Sequence, residues 1–309
     1  MEDLKPTENE CTDKVASKKT FFSDIAKGYA MGIAFIIPGF SGGSIAAILG
    51  FYDKLVGAIA DIFKSFKKSV TILFPILFGL ALGAVSLLYP LKLALEYFPL
   101  PTVSLFVGLA IGGLPSITSK APGRPSGKNL TALIIPLILA LSLSFIPIGA
   151  EKDLFNLTIG GYLLLFLVGV IGSSALVVPG ISGSMLLLIL GYYNPILRVF
   201  TDNLLLGKNL LQSILILATA GVGIAVGFFG ISVLMKLLLN KYQRGTYFAI
   251  IGFIIGSLPT VYISTAKEAG MTLNSLPTDA IHWVACVLLL AMGAVLSLTL
   301  VRLSRKNKA

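Results

Sequence analysis

"IIPGFSGGSIAAILGFYDKL", Ile36 to Leu55, breaks an apolar run with Pro-Gly, a serine and two further glycines. Proline removes a backbone donor and disfavours helix in the residue before it, while glycine supplies a turn. Inside a bilayer each freed backbone group needs a partner, so such a break persists only where protein or a water-filled cavity supplies one. The chain does this twice. "VVPGISGSMLLLILGYYNPI", Val177 to Ile196, aligns with the first stretch at an offset of 141 residues, with 8 identities in the 16 positions from Pro38 to Asp53.

The duplication extends outward from the breaks. Gly28 and Gly169 share the same offset, as do Asp61 and Asp202. Further on the offset becomes 144: "GLALG" at 79–83 matches "GIAVG" at 223–227, Lys92 matches Lys236, and "GLAIGGLP" at 108–115 matches "GFIIGSLP" at 252–259. Internal repeats of this kind are frequent in transporters, where the copies run parallel or inverted. Composition agrees with a membrane setting. Of the 309 residues 56% are apolar and 12% charged, and several apolar runs approach the roughly 20 residues that cross a hydrocarbon core. Residues 1–20 are polar, without the basic-then-apolar pattern of a cleaved leader, and read as a soluble tail. Cys11 and Cys286 form neither a disulfide framework nor a metal spacing.

Each half reads as one interrupted segment, about 24–52 and 160–193, followed by three spans. These are expected near 70–89, 102–118 and 130–148, then 210–235, 246–263 and 281–301. If the interrupted segments enter and leave on one face, each half crosses three times and the second lies upside down relative to the first. Lys and Arg should then gather on the cytoplasmic side. With both termini inside, 19 of the 24 basic residues fall on inner segments, and Lys92, Lys152, Arg198, Lys208 and Lys267 on outer ones. Full spanning by the interrupted segments would make the repeats parallel and weaken that bias. The reading is therefore an all-α polytopic membrane protein of two inverted repeats, each a re-entrant helical hairpin plus three transmembrane helices. Its parts are a polar cytoplasmic tail at 1–20, a first repeat at 21–148, and a second repeat with a short basic tail at 149–309. The net charge of +10 is assigned to the membrane's inner face, not to nucleic acid.

After each break a helix starts with serine at cap-like positions, Ser41 or Ser44 and Ser182 or Ser184. A helix start offers unpaired N–H groups and the positive end of the dipole, and glycine lets an anion come close. The candidate phosphate-binding set is Pro38, Gly39, Ser41, Gly42, Gly43 and Ser44 with Pro179, Gly180, Ser182, Gly183 and Ser184. Asp24, Lys27 and Arg198 are candidate charge partners, since charges within apolar segments are functional candidates by default. An ion pair between Asp24 and Lys27 is the plainer account of those two. For "GLALG", "GIAVG", Gly108/Gly112 and Gly252/Gly256, close helix packing is the expectation, and for Lys92 and Lys236 it is snorkelling at helix ends. His282 and Trp283 suit an interfacial anchor. No Ser-His-Asp set, zinc cluster or nucleotide loop occurs, so neither an enzyme nor a cofactor is expected.

At "DIAKGYAMGIAFIIPGFSGGSIAAILGFYDKL" and "GVIGSSALVVPGISGSMLLLILGYYNPIL" the sequence resembles the polyprenyl-phosphate transporter family, over nearly the whole chain after residue 20. The resemblance implies a flippase that returns undecaprenyl phosphate from the outer to the inner leaflet of the cell membrane for cell-surface polymer synthesis. It singles out Pro38, Gly39, Ser41, Gly42 and Gly43, then Pro179, Gly180, Ser182, Gly183 and Ser184, with Asp24 and Lys27 beside them. In an archaeal host the lipid would be dolichyl phosphate. The residues alone also admit a transporter or channel for a small soluble anion, and a membrane scaffold whose glycines only pack. Should transport be proton-coupled, Asp24, Asp53, Asp61 and Asp202 are the titrating candidates.

Overall fold

The computed structural model describes residues 8–35, 41–121, 127–143, 145–147, 149–204, 207–271 and 279–306. The described chain is helical throughout. The first half holds α1 (Glu8–Phe35), α2 (Gly42–Ile48), α3 (Tyr52–Ala60), α4 (Phe66–Tyr97), α5 (Pro99–Thr118) and α6 (Gly127–Leu143). The second repeats the order with α7 (Ile159–Val177), α8 (Gly183–Ile189), α9 (Tyr193–Arg198) and its π-helical extension Val199–Leu204, α10 (Leu210–Lys241), α11 (Gln243–Glu268) and α12 (Ala280–Lys306). Six of the described helices, α4, α5, α7, α10, α11 and α12, are long and apolar enough to cross a membrane. Two boundaries differ from the sequence reading. α1 begins at Glu8, well inside the expected soluble tail, because "ENECTDKVASKK" contains neither glycine nor proline to stop a helix. α6 ends at Leu143, short of the expected 148, shortly before Pro147.

Both interrupted segments double back. Lys54, at the start of α3, reaches Asp24 of α1 at 2.5 Å, and Lys27 of α1 lies over the Phe51 ring. The chain has thus returned to the level of Asp24 within a few residues of leaving α2. In the second half, Gly149 N–H donates to Leu188 O and Lys152 N–H to Gly191 O, so the stretch before α7 meets the last turn of α8 and the turn that follows it. Gly191, at φ +77°, makes that return turn: a Cβ there would lie 2.1 Å from Ala150 O.

Packing joins equivalent elements. α1 lies along α4 and α7 along α10, while α5 pairs with α12 and α11 with α6. The last helix of each half therefore packs against the opposite half. Glycines set these contacts, as expected from the sequence. A Cβ on Gly79 or Gly83 would stand 2.1 Å from the backbone oxygens of Ile25 and Tyr29. Gly223 meets Phe166 O, Gly108 meets Leu290 O, and Gly252 meets Leu133 O in the same way. With no gain in hydrophobic burial on leaving lipid for protein, close backbone approach and dispersion hold such helices together. α5 and α11 form the centre, with 61% and 56% of their most apolar windows buried against 17–28% for the other four long helices. Exposed Phe74, Phe78 and Val85 on α4, and Val284, Val287 and Leu288 on α12, face outward.

Candidate functional site

The residues that follow the first break meet the second break inside this frame. Ser41 precedes α2 in extended conformation, φ −109° and ψ 133°, as a capping residue should. Its hydroxyl does not cap α2. It crosses to the other repeat and donates to Ala175 O at 3.0 Å. Ser44 Oγ accepts from Gly180 N–H at 2.8 Å, and Tyr52 OH donates to Val177 O at 2.9 Å. Three side chains after the first break thereby satisfy backbone groups freed by the second, which is the condition for irregular backbone at membrane depth. Gly43 makes the seam possible: a Cβ there would lie 2.9 Å from Val177 O and 3.3 Å from Pro179 N.

The second break is held from its far side by α11. Gly180 has φ +86°, and a Cβ would stand 2.5 Å from the Phe253 carbonyl. Only glycine fits both the left-handed backbone and the space. Ser182 caps α8 as the sequence suggests, accepting from Met185 N–H at 3.5 Å. Gly183 packs on α7, with Gly172 O at 3.2 Å from its notional Cβ. Ser41, Gly42, Gly43, Ser44, Pro179, Gly180 and Ser182 are all buried, and Gly183 is half-buried. Pro38 and Gly39 lie outside the described residues, and so does the side chain of Ser184.

The charged candidates stand elsewhere. Asp24, only 5% exposed, is held by Lys54 at 2.5 Å more closely than by Lys27 at 3.7 Å. The local pair read from the sequence is therefore a triad completed by the returning chain. From Asp24 to the end of α1 is roughly 16 Å of helix, so the triad marks the base of the first hairpin. Arg198 is bound to Glu151, which also accepts from Asn194 at 2.9 Å. Those two bonds, Arg198 first, hold the Glu151 carboxyl below the usual carboxylate range. Arg198 thus braces the base of the second hairpin.

Two further contacts tie the halves together, Tyr247 with Asp53 and Lys236 with Asp61, and neither is visible in spacing. Tyr247 OH donates to both Asp53 oxygens, at 2.5 and 2.7 Å, and Lys120 reaches the same carboxylate at 2.6 Å. Lys236 pairs with Asp61 at 2.5 Å instead of only snorkelling, and that bond, with other lysines nearby, holds Asp61 below its ordinary range. Tyr52 did carry a sequence signal, as one of the eight identities between the repeats. Among the described residues no group of three His, Cys, Asp or Glu could hold a metal ion. The seam offers hydroxyls, backbone dipoles and small residues, which suit an oxyanion whose charge is spread over several acceptors.

Residues 31–276 match the family described as VCA0040-like, undecaprenyl phosphate translocase-like. A Staphylococcus aureus protein named polyprenyl-phosphate transporter is 31% identical over 290 residues, covering 92% of this chain and 98% of its own. A Vibrio cholerae protein of the same name is 30% identical over 257 residues, covering 78% of each chain. No solved structure matches.

Proposed function

The chain belongs to the VCA0040-like, undecaprenyl phosphate translocase-like family, and on that premise we propose that it is a membrane flippase for polyprenyl phosphate. The lipid is undecaprenyl phosphate, moved from the outer to the inner leaflet of the cell membrane for reuse in surface-polymer synthesis. The observation that carries this reading is the seam. Two copies of one motif, 141 residues apart in sequence, come within hydrogen-bond distance of each other through Ser41, Ser44 and Tyr52. A lipid phosphate crossing hydrocarbon must be shielded by polar groups while its tail stays in lipid, and a buried seam of hydroxyls and backbone dipoles serves that need. The phosphate exchanges with the bonds that now close the seam: Ser41 releases Ala175 O, Ser44 releases Gly180 N–H, and both hydroxyls turn to the anion.

The repeats are inverted. Helix direction supports this: α4 begins beside Asp61, since Ser65 N–H donates to Asp61 O, whereas its counterpart α10 approaches the same residue near its end, through Lys236. Corresponding helices therefore run in opposite directions. The two hairpins, each returning to its own base, open toward opposite faces, and the end bearing Lys54, Lys68, Lys120 and Lys236 faces the cytoplasm with both termini. The protein acts as a carrier and not as an enzyme.

Reconstitution tests this. Labelled undecaprenyl phosphate placed in one leaflet of proteoliposomes should become accessible in the other at a rate proportional to protein. Flux of soluble phosphate without lipid movement would overturn the reading in favour of an anion channel, and movement of neither would favour a scaffold.

A further inference from the structure

A cavity of about 440 Å³ lies between α7, α10 and α11, within the roughly 300–1,000 Å³ of small-ligand sites. Val178 and Ile181 line it at one end and bracket Pro179 and Gly180 of the seam; Tyr242 and Gly245 line it at the other, where α10 turns into α11. Two of its hydroxyl-bearing residues are turned back on their own helices, Ser174 toward Ile171 O at 2.6 Å and Thr246 toward Tyr242 O at 2.9 Å. The remaining surface is largely Met, Leu, Ile, Val, Ala and Phe. Apart from the Tyr242 hydroxyl at its far end, such a wall gives a soluble anion little to bind and gives hydrocarbon an apolar contact.

We propose that this cavity seats the first isoprene units of the lipid phosphate, directly behind the phosphate at the seam. The inference rests on the functional reading above and adds where the tail is recognised. Continuity decides the occupant: an apolar chain here must be joined to whatever the seam binds, because Val178 and Ile181 belong to both. An anionic lipid with a glycerol headgroup would place its ester carbonyls, which need donors, against this wall. An isoprenoid phosphate places only hydrocarbon there.

Gly245 gives a clean test, because it is part of the cavity lining and a Cβ at this position meets nothing within 4 Å. Gly230 on α10 is equally open but is not part of the lining. Binding of dimethylallyl phosphate, farnesyl phosphate and phosphatidylglycerol to purified parent, Gly245→Leu and Gly230→Leu protein is the measurement, with thermal unfolding as the folding check. The parent should bind farnesyl phosphate at least roughly tenfold more tightly than dimethylallyl phosphate, from the extra buried hydrocarbon. Gly245→Leu should lose that preference while still binding dimethylallyl phosphate, and Gly230→Leu should keep it. Equal binding of the two isoprenoid phosphates by the parent, an undiminished preference in Gly245→Leu, or equally tight phosphatidylglycerol overturns the cavity assignment alone. A parent that binds no isoprenoid phosphate overturns the functional reading with it. Should Gly245→Leu fail to fold, the parent's chain-length preference still decides.

Discussion

The two short helices after the breaks share a backbone device and differ in their surroundings. α2, "GGSIAAI", is buried at every residue and is enclosed by α1, α5 and α7. α8, "GSMLLLI", packs on α7 and α9, and its leucines are only half-buried. The side chains explain the contrast. At equivalent positions Ala46 and Ala47 face Leu187 and Leu188, and Ser44 faces Met185. Small side chains let neighbouring helices close on α2, and large ones hold them away from α8. A segment with fewer buried contacts opens at lower cost, so the first hairpin is the fixed wall of the seam and the second its adjustable side.

The strongest challenge to this contrast is to exchange the side chains. Ala46 and Ala47 are 0% and 4% exposed, and the double change to leucine should overpack α2 and destabilise the protein by roughly 2–5 kcal/mol. Leu187→Ala with Leu188→Ala, on the half-buried side, should cost less. Thermal unfolding in detergent measures both. Equal losses would mean that the two hairpins are equivalent walls.

Next in size is Gly43→Ser, which copies the residue of the second motif, Ser184, into the first. Its Cβ meets Val177 O at 2.9 Å, so the seam must spread. Lipid transport should fall at least about tenfold, with a stability loss of roughly 1–3 kcal/mol. Transport at the parent rate would show that the seam tolerates spreading. The capping serines come third. Ser41→Ala removes a buried donor to Ala175 O and should cost about 1–3 kcal/mol, whereas Ser182→Ala loses a cap bond of 3.5 Å and about 0.5–1 kcal/mol. The reverse order, read from chemical unfolding, would break the assignment of wall and adjustable side.

The smallest expected effect lies at the pair between the halves. Lys236 and Asp61 are each about a third exposed, so Asp61→Asn should leave folding nearly unchanged. Asp61 has its carboxyl held low by Lys236. Its contribution is therefore complete above the ordinary carboxylate range and fades only as pH falls through the lowered value. A stability change in Asp61→Asn that grows between pH 6 and 8 would contradict this.

Much of this was legible in the sequence because it is local. Pro179 and Gly180 declare a break, and Gly79/Gly83 with Gly223/Gly227 declare close packing, through residue type alone. The partner of each glycine face was not, since an apolar helix surface in lipid fits many others equally well. That is why the pairing of α5 with α12 and of α6 with α11 had no sequence signal. Tyr247 with Asp53 and Lys236 with Asp61 were equally hidden, because such pairs depend on how the halves dock. The start of α1 at Glu8, ahead of the interrupted segment expected from about residue 24, was not legible, because polar residues carry no apolar periodicity that marks a helix.

The crossed pairing of α6 and α12 bears on how the protein is made. α6 reaches the membrane before α11 exists, and until then its Gly252/Gly256 docking face is missing. The first half must therefore wait in the bilayer with an unpartnered, short helix, and the structure closes only when synthesis is nearly done. Assembly of the first half then depends on late, long-range contacts with the second.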